Sequence, residues 1–505
     1  MKRHLYLWHR WLGIALCLFM ALWFVSGVVM LFVGYPKLTQ AERLAPLPPL
    51  AAGCCVEPGV ALKASGRSEA PSSLRLVSIA GEPRYLLGYR DASLAVDARD
   101  GSLLAPQGPL QALASARLYS GAEAHYLEEV DEDLWSHSRA LDADRPLHKV
   151  RVDDTARSLL YVSSRTGEVV RDASRAERAW NYLGAWLHWL YPLRGGVLDG
   201  IWASIVIYLS LAATAMAVLG AVVGLLRWRF SRPYRSGSRS PYPAGFARWH
   251  HLTGLGFGLL LIAWIFSGLM SMRPWHLTEG RSPLAARDFQ GGELHGSAFG
   301  VGVDDALQRF RESGLEPVEL QWRMLGGAAY LGALDARGES RVLPLADAGP
   351  ALAQLTRSTL EAAAPQPVAQ STWLEAYDAY YYPRGEASMY GGQPKRLPLL
   401  RLAFDDAGHS WVHIDPYSGA VLDVLDDNRR AGRWLFNLLH SWDWPPLLER
   451  PLLREVLIIA FSLGGLAISV SGVVIGWRRL RPKRRALRSP AVSRGLVRQH
   501  ADNRP

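Results

Sequence analysis

Residues 8–34 read WHRWLGIALCLFMALWFVSGVVMLFVG, and residues 249–270 read WHHLTGLGFGLLLIAWIFSGLM. Leu12 to Val33 and Leu252 to Met272 contain no Asp, Glu, Lys or Arg, and each meets the roughly 20 residues needed to cross a bilayer. Laid over one another at an offset of 241 (250 − 9), Trp8-His9 falls on Trp249-His250, Gly13 on Gly254, and Ser26-Gly27 on Ser267-Gly268. A span with a histidine at its threshold is therefore present twice.

Two further stretches, Gly200 to Leu226 and Val456 to Trp477, are equally free of charge. The mean hydropathy of +0.01 averages these four segments with a polar remainder. A chain of 505 residues exceeds what one hydrophobic core supports, and four spans make it an integral membrane protein. The first apolar run is too long for a signal peptide and lacks its small-residue cleavage site, so it reads as an uncleaved anchor.

A second offset, 252 (440 − 188), relates His188 to His440, Gly220 to Gly472 and Gly224 to Gly476. The chain reads as a tandem duplication in which each half is span, external domain, span. Both copies then cross the membrane in the same sense, as parallel repeats about an axis along the membrane normal. The offsets differ by 11 (252 − 241), a net insertion in the second external domain.

The expected organisation is a span at 8–34, an external domain at 35–177, an interfacial helical segment at 178–198 and a span at 199–228. A cytoplasmic loop follows at 229–248. The second half runs as a span at 249–273, an external domain at 274–430, an interfacial segment at 431–452, a span at 453–478 and a basic tail at 479–505. Lys2, Arg3 and Arg10, the link RWRFSRPYRSGSRS and the terminal RRLRPKRRALR belong on the cytoplasmic side. The two long segments, about 165 and 180 residues, are then periplasmic in a bacterial inner membrane. The net charge of +10 reflects these flanks, an attraction to membrane lipid rather than to nucleic acid.

Within the external segments LLYVSSRTGEVV (159–170) alternates around a turn at Arg165-Thr166-Gly167, and HSWVHIDPYSGAVLDV (409–424) repeats it with Gly419 at the 252 offset. SLAVDARDGSLL and RVLPLADAGPAL suggest another strand-turn-strand pair, while DDALQRFRESG and PALAQLTRSTLEAAA read as helices. The fold class is thus an α-helical four-span bundle with two α+β external domains in tandem parallel repeat. Three cysteines exclude a disulfide framework and fall short of the four ligands of an iron-sulfur cluster. Cys17 lies inside a span, and Cys54-Cys55 form an adjacent pair in a linker, open to oxidation or incidental.

The anchors WHRWLG, IDPYSGAVL and FNLLHSWDW, with the closing GVVIGWRR, together resemble the PepSY-associated transmembrane family over most of the chain. The resemblance implies PepSY-like external domains and b-type haem on membrane histidines. Members include inner-membrane reductases of ferric siderophores.

The duplication gives a histidine geometry of its own. Equivalent residues of parallel repeats sit at the same depth across the axis, pairing His9 with His250 at the cytoplasmic end and His188 with His440 at the external end. Two facing imidazoles suit a flat cofactor with two axial ligands, bis-histidine haem, better than zinc, which takes three or four protein ligands. A hydrocarbon core of about 30 Å separates the pairs, so two haems are expected. His251 and His276 are the alternatives: His251 neighbours His250 but aligns with Arg10, and His276, aligned with Tyr35, has no histidine counterpart. Taken singly, each histidine and its neighbouring tryptophans also fit an interfacial aromatic belt.

No Gly-rich dinucleotide fingerprint follows a strand, and the cytoplasmic link is too short for a flavin domain. Electrons must come from a quinol or a separate reductase. The reading is a haem b oxidoreductase acting on a ferric siderophore or another periplasmic iron chelate. A rival is a non-enzymatic membrane protein whose external domains bind peptides or proteins. A chelate transporter is disfavoured by spans lacking charged residues.

Overall fold

The computed structural model describes residues 2–194, 197–346, 349–388 and 391–481; the basic tail beyond Arg481 lies outside the described residues. Four long helices dominate: α1 (Lys2–Phe32), α2 (Trp202–Arg227), α3 (Phe246–Ser271) and α4 (Pro451–Leu480). Each is long and apolar enough to span a membrane, with mean hydropathy between 2.0 and 2.5. α4 opens on Pro451, whose missing N–H costs nothing in a first turn. The helices pack in a closed ring, α1 against α4, α4 against α3, α3 against α2 and α2 against α1.

Their shared core is Met20 and Phe24 of α1, Met216 of α2, Trp264 of α3 and Ile458 and Ile468 of α4. Without a hydrophobic driving force between helices in lipid, close packing decides association. Gly464 and Gly465 supply it: a Cβ at Gly465 would strike the Phe24 ring, and one at Gly464 would lie 2.5 Å from Phe257. The glycines let two aromatic rings rest on bare backbone.

Among the described residues, fourteen strands form three antiparallel sheets. β1 (Ser73–Ile79), β2 (Glu82–Gly88), β3 (Ser93–Asp97), β8 (Glu319–Leu325), β9 (Ala328–Leu334) and β10 (Ser340–Pro344) make one six-stranded sheet in the order β10-β9-β8-β1-β2-β3. β4 (Ala124–Val130), β5 (Leu147–Val152), β6 (Leu159–Ser163) and β7 (Val169–Ala173) form a second sheet. The third comprises β11 (Gln370–Leu374), β12 (Leu399–Ala403), β13 (Trp411–Ile414) and β14 (Val421–Leu425). The turns expected at Gly167 and Gly419 join β6 to β7 and β13 to β14, both glycines at positive φ (79° and 70°).

The sequence predicts one α+β domain per half, whereas the largest sheet is shared between them. β1 pairs with β8 through Leu74↔Trp322, Arg75↔Gln321, Leu76↔Leu320 and Val77↔Glu319. Leu74, Leu76, Leu320 and Trp322 enter one core, so joining two otherwise open edges buries both apolar faces at once. On the opposite face Glu319 is fully buried and ion-pairs with Arg43 and with Arg75 (3.2 Å), which also holds Glu168 at 2.6 Å. Burial alone would raise the Glu319 carboxyl, but the two guanidinium groups hold it down at about 2. A carboxyl depressed on folding contributes stability above its unfolded value, and this contribution is lost as pH falls towards 2.

A second difference concerns residues 350–364. Only Arg357–Ala362 is helical, because Thr356 caps it by accepting from the Thr359 N–H; Leu352 is instead bridged to Val342. The helix expected near 304–314 is present as Val303–Glu312.

Candidate functional site

The two histidine-bearing interfacial stretches adopt one design. Helix Arg175–Asn181 passes into a π-helical turn, Tyr182–Trp186, kinked at Gly184, and the chain leaves at Leu190 with φ of 54°. Helix Asp427–Gly432 passes into a π-helical turn, Arg433–Leu438, then Leu439–Ser441, and leaves at Trp442 with φ of 55°. An inserted π turn shifts the register of the residues beyond it, and it precedes His188 and His440 alike.

The imidazole rings of His188 and His440 face each other with centroids 6.1 Å apart. At the opposite end of the bundle His9 of α1 and His250 of α3 lie 6.2 Å apart. Ser26, which contacts His188, lies 17 residues beyond His9 on α1, about 25 Å along the helix axis. The chain therefore holds two separate imidazole pairs.

Hydrogen bonds fix the tautomer of all four rings. His9 Nδ1 meets the Met216 carbonyl at 3.2 Å, His250 Nδ1 the Ile468 carbonyl at 3.0 Å, and His440 Nδ1 the Trp264 carbonyl at 3.2 Å. A carbonyl only accepts, so each Nδ1 carries the proton. His188 Nδ1 meets the Ser26 hydroxyl at 3.0 Å, and that hydroxyl spends its own proton on the Leu22 carbonyl at 2.8 Å. It too must accept from the ring. Among the described residues no partner takes any of the four Nε2 lone pairs, and an Nδ1–H donated to the protein is the arrangement that orients a metal-ligating histidine.

The partners recur at the sequence offsets. Met216 and Ile468 are 252 apart, as are the His188 and His440 they do not touch; Ser26 and Ser267, which holds His440 Nδ1 at 3.1 Å, are 241 apart. Trp23 Nε1 donates to the His188 carbonyl and Trp264 Nε1 to the His440 carbonyl, both at 3.0 Å. Sequence reasoning does not single out Trp23 and Trp264, although the same 241 offset relates them. Glycines admit the rings: Cβ atoms at Gly27 and Gly268 would lie 3.5 Å from the Cε1 atoms of His188 and His440, and one at Gly220 would lie 2.6 Å from His9 Cε1.

The alternatives lie elsewhere. His251 is buried, with Nε2 on the Gly224 carbonyl (2.9 Å) and Nδ1 on the Ser240 hydroxyl (2.8 Å), so neither nitrogen is left to ligate. It fastens the link between α2 and α3. His276 is exposed and paired with Glu279 at 2.6 Å. Cys54 and Cys55 are disulfide-bonded to each other, and Cys17 packs in the bundle beside Gly472. Among the described residues no three His, Cys, Asp or Glu side chains converge as a metal site; the imidazoles come in twos.

Residues 6–310 match the sequence profile of the PepSY-associated TM region family. The chain belongs to this family. No curated protein sequence matches it. The matched stretch runs from α1 through α3 into the segment that follows α3, so it holds His9, His188 and His250 but stops short of His440.

The histidines of this PepSY-associated chain fit a bis-imidazole metal. Two metal–imidazole bonds of about 2 Å, with the ring radii added, put centroids about 6 Å apart. Both observed separations agree. The outer pair also lines a cavity of about 420 Å³ walled by Met20, Trp23, Phe24, Met30 and Ile265. Its lining is mostly apolar, with Arg384, Asp443, Arg454 and Glu455 as its charged members, which fits a large, mainly apolar ligand.

Proposed function

We propose that this protein is a di-haem b oxidoreductase of a bacterial inner membrane. It passes electrons across the bilayer to a ferric siderophore or another iron(III) chelate on the periplasmic side and releases iron(II). The observation that carries this reading is the set of four imidazoles bonded through Nδ1, whose rings lie in two pairs with centroids about 6 Å apart at opposite ends of one bundle. The recurrence of Met216 and Ile468 at the 252 offset, and of Ser26 and Ser267 and of Trp23 and Trp264 at the 241 offset, supports a tandem parallel repeat, in which each site has two ligands.

When bound, haem supplies a one-electron iron(III)/iron(II) couple at each pair. The chain's own residues do the rest. Met216 and Ile468 hold the inner rings by their carbonyls, and Ser26, Ser267 and Trp264 hold the outer ones. The basic link RWRFSRPYRSGSRS favours a cytoplasmic inner end, with both termini on that side and the sheets in the periplasm. A quinol or a separate reductase supplies the electrons. Reduction suits the substrate, because hard oxygen donors hold iron(III) far more firmly than iron(II).

A reduced-minus-oxidised spectrum of the purified protein tests the reading. It is expected to show b-type bands, diminished in His188→Ala and His440→Ala. A colourless protein that takes up no haem on reconstitution sinks the proposal in favour of a non-enzymatic binding role.

A further inference from the structure

Outside the helix bundle the two halves meet where β1 pairs with β8, and that pairing is short. It runs from Val77↔Glu319 to Leu74↔Trp322, whereas β8 continues through Arg323 and Met324 to Leu325. A second cavity, of about 310 Å³, lies at this end of the pairing, lined by Ser72 and Ser73 before β1 and by Arg323 and Met324 of β8. Its lining draws on two cores: Leu294 and Trp322 belong to one, Phe289 and Leu325 to the other. None of these residues lines the outer histidine cavity.

The charged members of this lining are two arginines, with no carboxylate among them. Arg75 is already engaged, by Glu168 at 2.6 Å and Glu319 at 3.2 Å. Arg323 is not. Among the described residues no carboxylate lies within ion-pair distance of it, and its one side-chain hydrogen bond runs from Nη2 to Gln321 Oε1 at 2.9 Å. Gln321 donates in turn to Glu319, so the guanidinium is held from one side while its Nε is buried without an acceptor. Asp415 and Glu319 act on Arg323 only through space, and each is ion-paired elsewhere, Asp415 with Arg396 at 3.3 Å and Glu319 with Arg43 and Arg75. Burial outweighs their attraction and holds the Arg323 pKa below the usual arginine value. Trp322 is buried as well, and its Nε1–H has no acceptor.

A buried donor without an acceptor is costly, and a charged one more so. Ligand cavities begin at about 300 Å³, roughly ten times the volume of one water molecule. One unpaired guanidinium matches one negative charge, and its planar N–H groups match a carboxylate. The apolar wall of Phe289, Leu294 and Leu325 asks for a carbon body behind that charge.

We infer that this cavity binds a small organic monocarboxylate, with its carboxylate on Arg323 and its carbon body against Phe289, Leu294 and Leu325. Trp322 Nε1 supplies a further donor. Because β1 comes from one half and β8 from the other, the bound acid ties the halves together at their joint.

Titration of the purified full-length protein with benzoate, butyrate, acetate and inorganic phosphate tests this, with calorimetry giving the dissociation constants and a melting curve recorded beside each. Benzoate or butyrate is expected to bind once per chain and to raise the melting temperature. Acetate is expected to bind more weakly, having no body to fill the apolar wall. Arg323→Gln is expected to weaken binding about tenfold or more. It should do so without lowering the melting temperature of the unliganded protein, which a purely structural arginine would not allow. Arg323→Lys keeps the charge without the fork and is expected to fall between, and Trp322→Phe is expected to weaken binding less than Arg323→Gln does. Should Arg323→Gln not fold, these two variants decide. No saturable binding of either benzoate or butyrate overturns the inference and leaves the cavity to water. Binding that no variant alters places the acid elsewhere and overturns it too, as does phosphate held more tightly than the carboxylates.

Discussion

The inner and outer histidine pairs reach the same end by different means. His9 and His250 belong to the spanning helices themselves, and backbone carbonyls of α2 and α4 hold them, joined at His250 by the Ser471 hydroxyl at 3.0 Å. His188 and His440 ride on short segments outside the spans and are held from α1 and α3, largely by the side chains Ser26, Ser267, Trp23 and Trp264. Helices α1 and α3 thus present a histidine at one end and a cradle for another at the other. A carbonyl cannot be mutated away, whereas a hydroxyl or an indole can, so substitution can reach the partners of His188, His440 and His250 but not the carbonyl that holds His9.

The largest effects come from the ligands. Replacing either member of a pair by Ala is expected to remove one haem of two: His188→Ala or His440→Ala the outer, His9→Ala or His250→Ala the inner. Redox titration would show which potential disappears. Loss of both centres from any one substitution would break the separation of the sites.

Glycine substitutions come next and are expected to divide by site. Gly220→Ala places a methyl group 2.6 Å from His9 Cε1 and is expected to cost about 1–3 kcal/mol in an already packed position, seen as weakened inner haem. Gly27→Ala meets His188 at 3.5 Å, an ordinary contact, and is expected to leave the outer haem bound. Equal effects would mean that the rings move.

Removing the indole donor is expected to matter less. Trp264→Phe strips the His440 carbonyl of its partner, a cost of about 1–3 kcal/mol, measurable as a lower temperature of outer haem release with the inner haem unchanged. Ser26→Ala should cost about 1 kcal/mol and shift the outer potential more than Ser267→Ala does. His440 keeps the Trp264 carbonyl when Ser267 is lost, while the side-chain partner of His188 is Ser26. The smallest expected effect is that of His251→Gln, which should leave both haems in place.

The spans were readable because bilayer crossing imposes a length and a composition that tertiary contacts cannot override. The external strands and their turns were readable from alternation and from glycines at positive φ. The pairing of β1 with β8 was not, since the partners lie in different halves of the chain and each strand alone looks like half of its own domain. PALAQLTRSTLEAAA misled for a related reason: its propensity is helical throughout, but the Thr356 cap and the Leu352–Val342 bridge divide it.

By itself the sequence determined the four apolar spans and the two offsets, and the offsets were enough to expect His9 opposite His250 and His188 opposite His440. Only the tertiary structure decided which nitrogen each ring leaves free, that His251 is committed at both nitrogens, that the halves share a sheet, and that Arg384 and Arg454 face the outer cavity. Each of those depends on hydrogen bonds between segments distant in sequence. A repeat offset says which residues correspond, whereas the direction of a lone pair depends on what its ring touches.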